Sequence, residues 1–598
     1  MGLLREAKYL RDMGRAIIAI SKFDVSKAAT VPDYFEQMVD RRKDAPLFYF
    51  EDEILSYRQI DDWANQFAHY LTGQGIGKDD VIAINMENCP AYVAAWMGAA
   101  KIGATSALIN TNLGGAQLAH CLNVAKAKLL VLGAELADQF NSARDALDPM
   151  PAILVDGDGA LIDGASALSD AIDGQPTTRP DKSCRAGMTL GDSDLFYIYT
   201  SGTTGLPKAA HFSHLRFMMT ATGSGTALKL GHSDRHYICL PLYHTAGGVM
   251  ALGAAWTMGA AAVLVPKFSA SRFFADAVKY DVTSFQYIGE LLRYLVNSPA
   301  VPEEKMHKIT RCIGNGLRPE IWETVETRFG INKVVEFYGA TEGNVALMNL
   351  EGKRGTVGRL PGYLRKATGV TCVRYDVEND EVMRGPDGLC IECKPGEPGE
   401  AVGRLPTSSD AKTGRFEGYS DESATKKKIL NDVFEKGDAF FRTGDLLRFD
   451  KDGYWYFVDR IGDTFRWKGE NVATSEVAEV IAVMDHIDEV NIYGVQIPGA
   501  DGRAGMASIV AGDGFDLAAF HAQTQKDLAA YARPLFLRMQ PEIEITGTFK
   551  HRKVDLVKDG FDPDKIAEPL YFRDSETGSY VPLDKALYDR IIAGEVRV

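Results

Sequence analysis

The sequence contains neither a G-x-x-x-x-G-K-[ST] phosphate loop nor a G-x-G-x-x-G turn, which removes the main support for an ordinary P-loop nucleotidase or a dinucleotide enzyme. Cysteine is scarce. Cys89, Cys121, Cys184, Cys239, Cys312, Cys372, Cys390 and Cys393 are scattered over 598 residues without the spacing of a disulfide framework, so a reducing compartment, the cytoplasm, is expected. Cys390 and Cys393 form a lone C-x-x-C with no second pair at zinc-ribbon spacing, and a metal or redox role is not expected of them. Basic excess is absent as well: a formal net charge of -15 argues against wholesale nucleic-acid binding. No secretory signal, internal repeat or low-complexity tract is visible. The longest uncharged apolar stretch, residues 249–265, approaches the length of a membrane span. Its glycines, alanines and strand-like Ala262-Val263-Leu264-Val265 instead read as a buried helix followed by a buried strand.

What is present begins with a basic amphipathic segment at residues 1–22. Leu3, Ala7, Leu10, Ile17 and Ile20 fall near one face, while Arg5, Lys8, Arg11, Arg15 and Lys22 outnumber Glu6 and Asp12. Such a helix suits either an anionic membrane surface or packing on the protein's own core. From about residue 54 to 345, short β-rich runs alternate with helical patterns. Examples are Val81-Ile82-Ala83-Ile84, a helix from about 90 to 102, and Ser284-Phe285-Gln286-Tyr287. That alternation predicts an α/β fold of largely parallel, helix-covered sheets. Residues 157–193 read as a weakly structured approach. Beyond Val458-Asp459-Arg460-Ile461-Gly462 the chain has its own set of elements, with helices near 475–484 and around 517–531 and a strand at 490–497. The expected domains are therefore a large one over 1–461 and a small C-terminal α/β domain over 462–598.

The densest chemistry lies in Tyr199-Thr200-Ser201-Gly202-Thr203-Thr204-Gly205-Leu206-Pro207-Lys208, which follows the strand-like Leu195-Phe196-Tyr197-Ile198. Glycines let the backbone bring its N–H groups close to an anion, hydroxyls add rotatable donors, and the lysine adds a point charge. A plain solvated loop has the same composition, so the loop alone does not decide. Phe337-Tyr338-Gly339-Ala340-Thr341-Glu342-Gly343 follows another strand-like run and offers a hydroxyl and a carboxylate suited to Mg²⁺ beside phosphates. Thr443-Gly444-Asp445 offers a carboxylate that can accept from both hydroxyls of a ribose.

Each triplet is weak alone, but their order is specific. A hydroxyl-rich loop, then Tyr-Gly-x-Thr-Glu, then Thr-Gly-Asp, then Asp459-Arg460 and finally Lys550 resembles the adenylate-forming enzymes over essentially the whole chain. A narrower resemblance is to the fatty acid transport protein and very-long-chain acyl-CoA synthetase family. It is carried by Phe268-Ser269-Ala270-Ser271-Arg272-Phe273, Tyr287-Ile288-Gly289-Glu290-Leu291, Gly314-Asn315-Gly316-Leu317-Arg318, Asp463-Thr464-Phe465-Arg466-Trp467-Lys468-Gly469-Glu470-Asn471-Val472 and Thr546-Gly547-Thr548-Phe549-Lys550.

The resemblance implies a ligase that joins a long- or very-long-chain fatty acid to CoA through an acyl adenylate, using ATP and Mg²⁺. It implies that Thr200, Ser201, Gly202, Thr203, Thr204, Gly205 and Lys208 hold the β- and γ-phosphates. Thr341 would then meet the α-phosphate, Glu342 would hold Mg²⁺, and Asp445 and Arg460 would bind the ribose. Gly314, Asn315 and Gly316 would frame the adenine with Tyr338 stacked on it, and His244 would lie near the reacting carboxylate. Lys550 would be the adenylation lysine, and Lys468 and Gly469 would flank the CoA path. The structural alternatives are a satisfied histidine for His244 and a surface lysine for Lys550, which stands in the basic run Lys550-His551-Arg552-Lys553. Where many relatives have Asp or Lys at the pivot between domains, this chain has Gly462. The alternatives for function are a CoA ligase for a sterol side-chain, bile or aromatic acid, and a membrane-associated fatty acid uptake protein. Peripheral contact with the cytoplasmic face of a membrane through residues 1–22 is a further expectation.

Overall fold

The computed structural model describes residues 2–157, 162–200, 206–377, 379–406, 415–468, 470–500, 502–543, 553–575, 577–596 and 598. The chain forms two compact units, Met1–Arg359 with Leu405–Ile429, and Leu360–Arg404 with Leu430–Val598.

The first unit is built on two large, mostly parallel sheets. One runs in the order Ser166–Ala167, Ala152–Asp156, Leu129–Gly133, Val81–Asn85, Thr105–Leu108, Asp194–Thr200, Lys208–Ser213, antiparallel only at its last pair. The other runs Ala346–Asn349, Lys333–Gly339, Arg311–Asn315, Ser284–Ile288, Arg235–Ile238, Ala261–Leu264, Pro46–Phe50, Glu53–Ser56, and is parallel except at its two ends. Strands covered by helices on both faces lose the alternation of apolar and polar residues. Leu129–Gly133 and Ser284–Ile288 are accordingly buried at every position.

Helix Tyr57–Gly73 starts at Ser56, whose hydroxyl accepts from the Gln59 N–H while the Gln59 side chain accepts from the Ser56 N–H, a reciprocal cap. This helix lies so close to helix Pro90–Lys101 that a Cβ at Gly98 would stand 2.6 Å from the Ala64 carbonyl oxygen. Lys101, fully buried at the end of the second helix, is paired with Glu36 at 2.8 Å and Asp61 at 2.7 Å, the condition under which a buried ammonium is tolerated.

Residues 249–265 divide as expected into a buried helix and a buried strand. The helix opens as a π-helix, Thr245–Gly253, and continues as the short α-helix Ala254–Thr257 before strand Ala261–Leu264. Among the described residues no helix is long and apolar enough to cross a membrane. The approach to the hydroxyl-rich loop is better ordered than its composition suggests, with helix Leu168–Ile172 and the 3₁₀ turn Lys182–Arg185.

The N-terminal segment is helical over Gly2–Ser21, but its packed stripe differs from the expected one. Leu10, Ile17 and Ile18 are exposed, whereas Tyr9 is buried. The Tyr9 hydroxyl donates to the Arg359 carbonyl at 2.8 Å, and its ring lies under the Arg359 guanidinium, which also pairs with Glu6 at 2.6 Å. One aromatic anchor with a polar tip has outweighed the aliphatic count in choosing the face.

The second unit has an antiparallel sheet of Tyr454–Arg460, Ala439–Phe449, Gly399–Arg404 and Val370–Val373, and a five-stranded sheet beginning with Ile487–Gln496 and Arg503–Ala511. A hydrophobic core running from Phe465 to Ile591 is made entirely of residues beyond Gly462. The helix expected around 517–531 stops at Asp527, because Arg533 caps its last turn, donating to the Gln525 and Leu528 carbonyls at 2.7 and 2.9 Å.

Candidate active site

Strand Asp194–Thr200 is fixed before its loop begins. Phe196 packs edge-on against Trp96 at 5.1 Å, and the Tyr199 hydroxyl donates to the Cys121 carbonyl at 2.7 Å. Thr200 then faces Lys208 across the antiparallel register, so both stand at the mouth of one hairpin. Ser201, Gly202, Thr203, Thr204 and Gly205 lie outside the described residues, as do Gly469 and Lys550.

The outer edge of this hairpin is covered by residues 415–420, which add a short backbone pairing to it. His211 N–H donates to the Gly418 carbonyl at 3.2 Å and Ser420 N–H to the Ala209 carbonyl at 3.0 Å. Glu417 secures the pairing, accepting from the Ser213 N–H and hydroxyl at 2.9 and 2.5 Å and pairing with Arg216 Nε at 3.2 Å. Arg216 reaches on to the turn after strand Lys333–Gly339, donating to the carbonyls of Thr341 at 3.0 Å and Gly343 at 2.6 Å. A single guanidinium, with its rigid fork of donors, thus fixes the backbone that carries Thr341 and Glu342.

Glu342 is buried, and the Tyr419 hydroxyl donates to its Oε1 at 2.5 Å. The Lys208 ammonium lies 6.0 Å above the Tyr419 ring. The Thr341 hydroxyl is 3.2 Å from that of Thr245, the first residue of the π-helix. His244 immediately precedes this helix and accepts the Gly248 N–H on its carbonyl at 2.9 Å, with its ring 4.4 Å from that of Tyr243. The helix can turn back this tightly only with glycine at two positions: a Cβ at Gly247 would meet the Pro241 carbonyl oxygen at 2.4 Å, and one at Gly248 the Leu242 carbonyl oxygen at 2.3 Å. The π geometry runs over nine residues, longer than the single-turn π-bulges that are frequent at functional sites.

The second group of residues gathers around Glu336. Gly314 and Asn315 end strand Arg311–Asn315, and Gly316 turns away at φ +80°. Glu336, on the neighbouring strand, is buried and accepts from Gly316 N–H at 3.1 Å, Leu317 N–H at 2.7 Å and the Tyr287 hydroxyl at 2.8 Å. Burial pushes its carboxyl up to about 8, against the pull of those three donors. Tyr338 follows two residues later on the same face of the strand.

In the second unit, Asp445 and Arg460 are partners across adjacent strands, with Arg460 Nε 3.8 Å from Asp445 Oδ1. The Thr-Gly-Asp bend between them is held from beneath. The Thr443 hydroxyl donates to the Ala401 carbonyl at 2.7 Å, and fully buried Glu400 accepts from Gly444 N–H at 3.2 Å while pairing with Arg442 at 2.7 Å. Lys468 adopts a left-handed backbone, φ 53°, with its ammonium 5.7 Å from the Trp467 ring. Gly462 has φ +93°, and nothing lies within 4 Å of where its Cβ would be. Lys553, at the end of the basic run, pairs with Asp463 at 3.2 Å and donates to Thr474 Oγ1 at 2.7 Å.

The structure therefore links Thr200, Lys208, Thr341 and Glu342 through the hairpin register, Tyr419 and Arg216, sets His244 next in sequence to Thr245, which touches Thr341, anchors the Gly314-Asn315-Gly316 bend on Glu336 of the strand that also carries Tyr338, and pairs Asp445 with Arg460. Sequence reasoning missed the residues that make these networks: Arg216, Thr245, Glu336, Glu417 and Tyr419. Glu336, a carboxylate inside an apolar strand, was the one with a visible signal. Arg216 and Tyr419 are ordinary residues of a helix and a loop until the chain folds.

Comparison with known proteins places this geometry. Residues 35–406, more than half of the chain, match the family described as AMP-binding enzyme. Long-chain fatty acid transport protein 1 of Mus musculus is 42% identical over 544 residues, 90% of this chain and 83% of that protein. Long-chain fatty acid transport protein 6 of Homo sapiens is 41% identical over 589 residues, 97% of this chain and 94% of that one. Among solved structures, an anthranilate CoA ligase in complex with anthranoyl-AMP shares the fold with a TM-score of 0.76 at 22% identity, over 90% of this chain and 98% of that one. The ordered motifs, the buried turn that carries Thr341 and Glu342, and these identities agree: the chain belongs to the AMP-binding, adenylate-forming enzymes, in the group that holds the long-chain fatty acid transport proteins.

Proposed function

We propose that this adenylate-forming ligase activates a long- or very-long-chain fatty acid and transfers it to CoA. A carboxylate cannot acylate a thiol directly, since its leaving group would be oxide. In this reading a carboxylate oxygen attacks the α-phosphorus of ATP and the bond to the β-phosphate oxygen breaks, releasing pyrophosphate. The CoA thiolate then attacks the acyl carbon, and the bond to AMP breaks. The first step is mostly positioning and charge neutralisation.

The observation that carries the reading is the network joining the hairpin mouth, Thr200 and Lys208, to Thr341 and Glu342 through Tyr419 and Arg216. It puts a cation, hydroxyls and a carboxylate together, as a triphosphate requires. Glu342 fits Mg²⁺ as this family uses it. Among the described residues no cluster of three or more His, Cys, Asp or Glu could hold a resident metal, and Mg²⁺ is commonly bound through one or two carboxylates plus substrate phosphates. When bound with ATP, it would neutralise charge on the departing pyrophosphate. Thr200, Ser201, Gly202, Thr203, Thr204, Gly205 and Lys208 grip that pyrophosphate, and Thr341 and Lys550 meet the α-phosphate. Gly314, Asn315, Gly316 and Tyr338 take the adenine, and Asp445 and Arg460 the ribose. His244 stands by the reacting carboxylate, and Lys468 and Gly469 flank the CoA path. The small domain over 462–598 rotates between the two steps about Gly462, which has no side chain to hinder it.

The identity of the acid is supported by the relatives, which are named long-chain fatty acid transport proteins. Acid-dependent pyrophosphate release across a panel of saturated, sterol side-chain, bile and aromatic acids tests it. Rates should be highest with acids of long chain; an aromatic or bile acid in first place would reassign the substrate, and no release with any acid would remove the ligase reading. The reading also places the outer face of helix Gly2–Ser21, with Leu10, Ile17 and Ile18 among Lys8, Arg11 and Arg15, against an anionic bilayer at the cytoplasmic face. Deleting residues 1–22 should abolish sedimentation with phosphatidylserine vesicles; undiminished sedimentation would place the contact elsewhere.

A further inference from the structure

Tyr419 lies outside every motif named above, yet it stands beside groups that the proposed ATP chemistry needs. Its hydroxyl donates to Glu342 Oε1 at 2.5 Å. Thr200, at the start of the phosphate loop, faces Lys208 across the hairpin register. The Lys208 ammonium, at the other end of that loop, sits over the ring at 6.0 Å. The residue is buried and firmly held: it shares a small apolar cluster with Ala210, Ala424 and Phe416, and its backbone pairs with Ala210 at the edge of the hairpin. Its phenol is thus presented by a fixed backbone, not by a mobile loop tip.

The chemistry of Glu342 explains why such a partner matters. A glutamate has three rotatable side-chain bonds, and Mg²⁺ demands near-ideal octahedral geometry, so a wandering carboxylate binds it poorly. Among the described residues Tyr419 is the hydrogen-bond partner of Glu342. With Oε1 engaged by the phenol, Oε2 keeps one direction.

We infer that Tyr419 is a positioning residue that aims the Glu342 carboxylate at a nucleotide-bound divalent cation. The inference rests on the ATP-site reading above but not on which acid is activated, nor on turnover.

The test uses the full chain and four variants, with binding as the readout. Affinity for a fluorescent, non-hydrolysable ATP analogue is measured without divalent cation and across a series of free Mg²⁺ concentrations. Y419F keeps the ring and its packing and loses only the hydroxyl. It should leave the Mg²⁺-free affinity unchanged and cut the gain in affinity brought by Mg²⁺ about tenfold, the size expected for one charge-assisted hydrogen bond. Y419A also removes the ring, and should cut the Mg²⁺-linked gain at least as far as Y419F does. E342Q and the double variant Y419F/E342Q should lose the Mg²⁺-linked gain equally, because the hydroxyl acts through the carboxylate. A Mg²⁺-linked gain that is unchanged or larger in Y419F overturns the inference, the latter meaning that the phenol blocks the cation. So does an equal fall in affinity with and without Mg²⁺, the mark of a merely structural tyrosine. A chain that binds the analogue as expected yet releases no pyrophosphate with any acid would fail the functional proposal and leave this one standing.

Discussion

Glu336 and Glu342 stand six positions apart on one strand and the turn that follows it, both buried, yet their surroundings give them opposite tasks. Glu336 accepts from two backbone N–H groups and a tyrosine hydroxyl, which hold the Gly314-Asn315-Gly316 bend in place. Glu342 has the Tyr419 phenol on one oxygen. Among the described residues Glu336 has three protein donors and Glu342 one, so the first serves the scaffold and the second, in the proposed reading, keeps an oxygen for a ligand. Residue type does not separate the two; the donors found around each among the described residues do.

The comparison can be sharpened by a group that belongs to neither. Lys550→Ala should give the largest loss, slowing acid-dependent pyrophosphate release by about two to three orders of magnitude. Thioester formation from supplied acyl adenylate should be nearly unaffected, and an equal loss of both steps would contradict the rotating-domain picture. Next comes Glu342→Ala, expected to cost about two orders of magnitude in the same assay, with the thermal midpoint close to that of the parent. A collapse in stability would make Glu342 scaffold after all.

Glu336→Ala should do the reverse. It strands the Tyr287 hydroxyl and the N–H groups of Gly316 and Leu317, so the fold should lose about 3 kcal/mol, read as the denaturation midpoint. A fully stable variant would break the comparison. The last expectation concerns the dependence on pH. Because burial raises the Glu336 carboxyl from 4.5 to about 8, the folded state holds its proton more tightly than the unfolded chain does. That stabilisation is complete below pH 4.5 and is lost as pH rises through about 8. In Glu336→Gln this component of the pH dependence should vanish, and thermal midpoints followed over that window check it.

The α/β architecture and the strands that lead to the hydroxyl-rich loop and to the Thr341-Glu342 turn were legible in the sequence because they rest on local periodicity. The run 249–265 divided into helix and strand as its composition required. The packed face of the first helix was not legible. It is set by Tyr9 meeting Arg359, and nothing near Tyr9 in the sequence announces that partner. The site followed the same rule. Thr200, Lys208, Thr341 and Glu342 announced themselves by clustering hydroxyls, glycines and charge within short motifs. Arg216 and Tyr419 act through contacts across more than 75 residues of chain, a separation over which no pattern survives.

The central claim is the joining of an acid to CoA at the expense of an α–β phosphate bond. Incubating the full chain with a long-chain fatty acid, ATP, Mg²⁺ and CoA, and quantifying all products by mass spectrometry, tests it most directly. AMP, pyrophosphate and acyl-CoA should appear in equal amounts. ADP and phosphate in their place, or AMP without thioester, would contradict it.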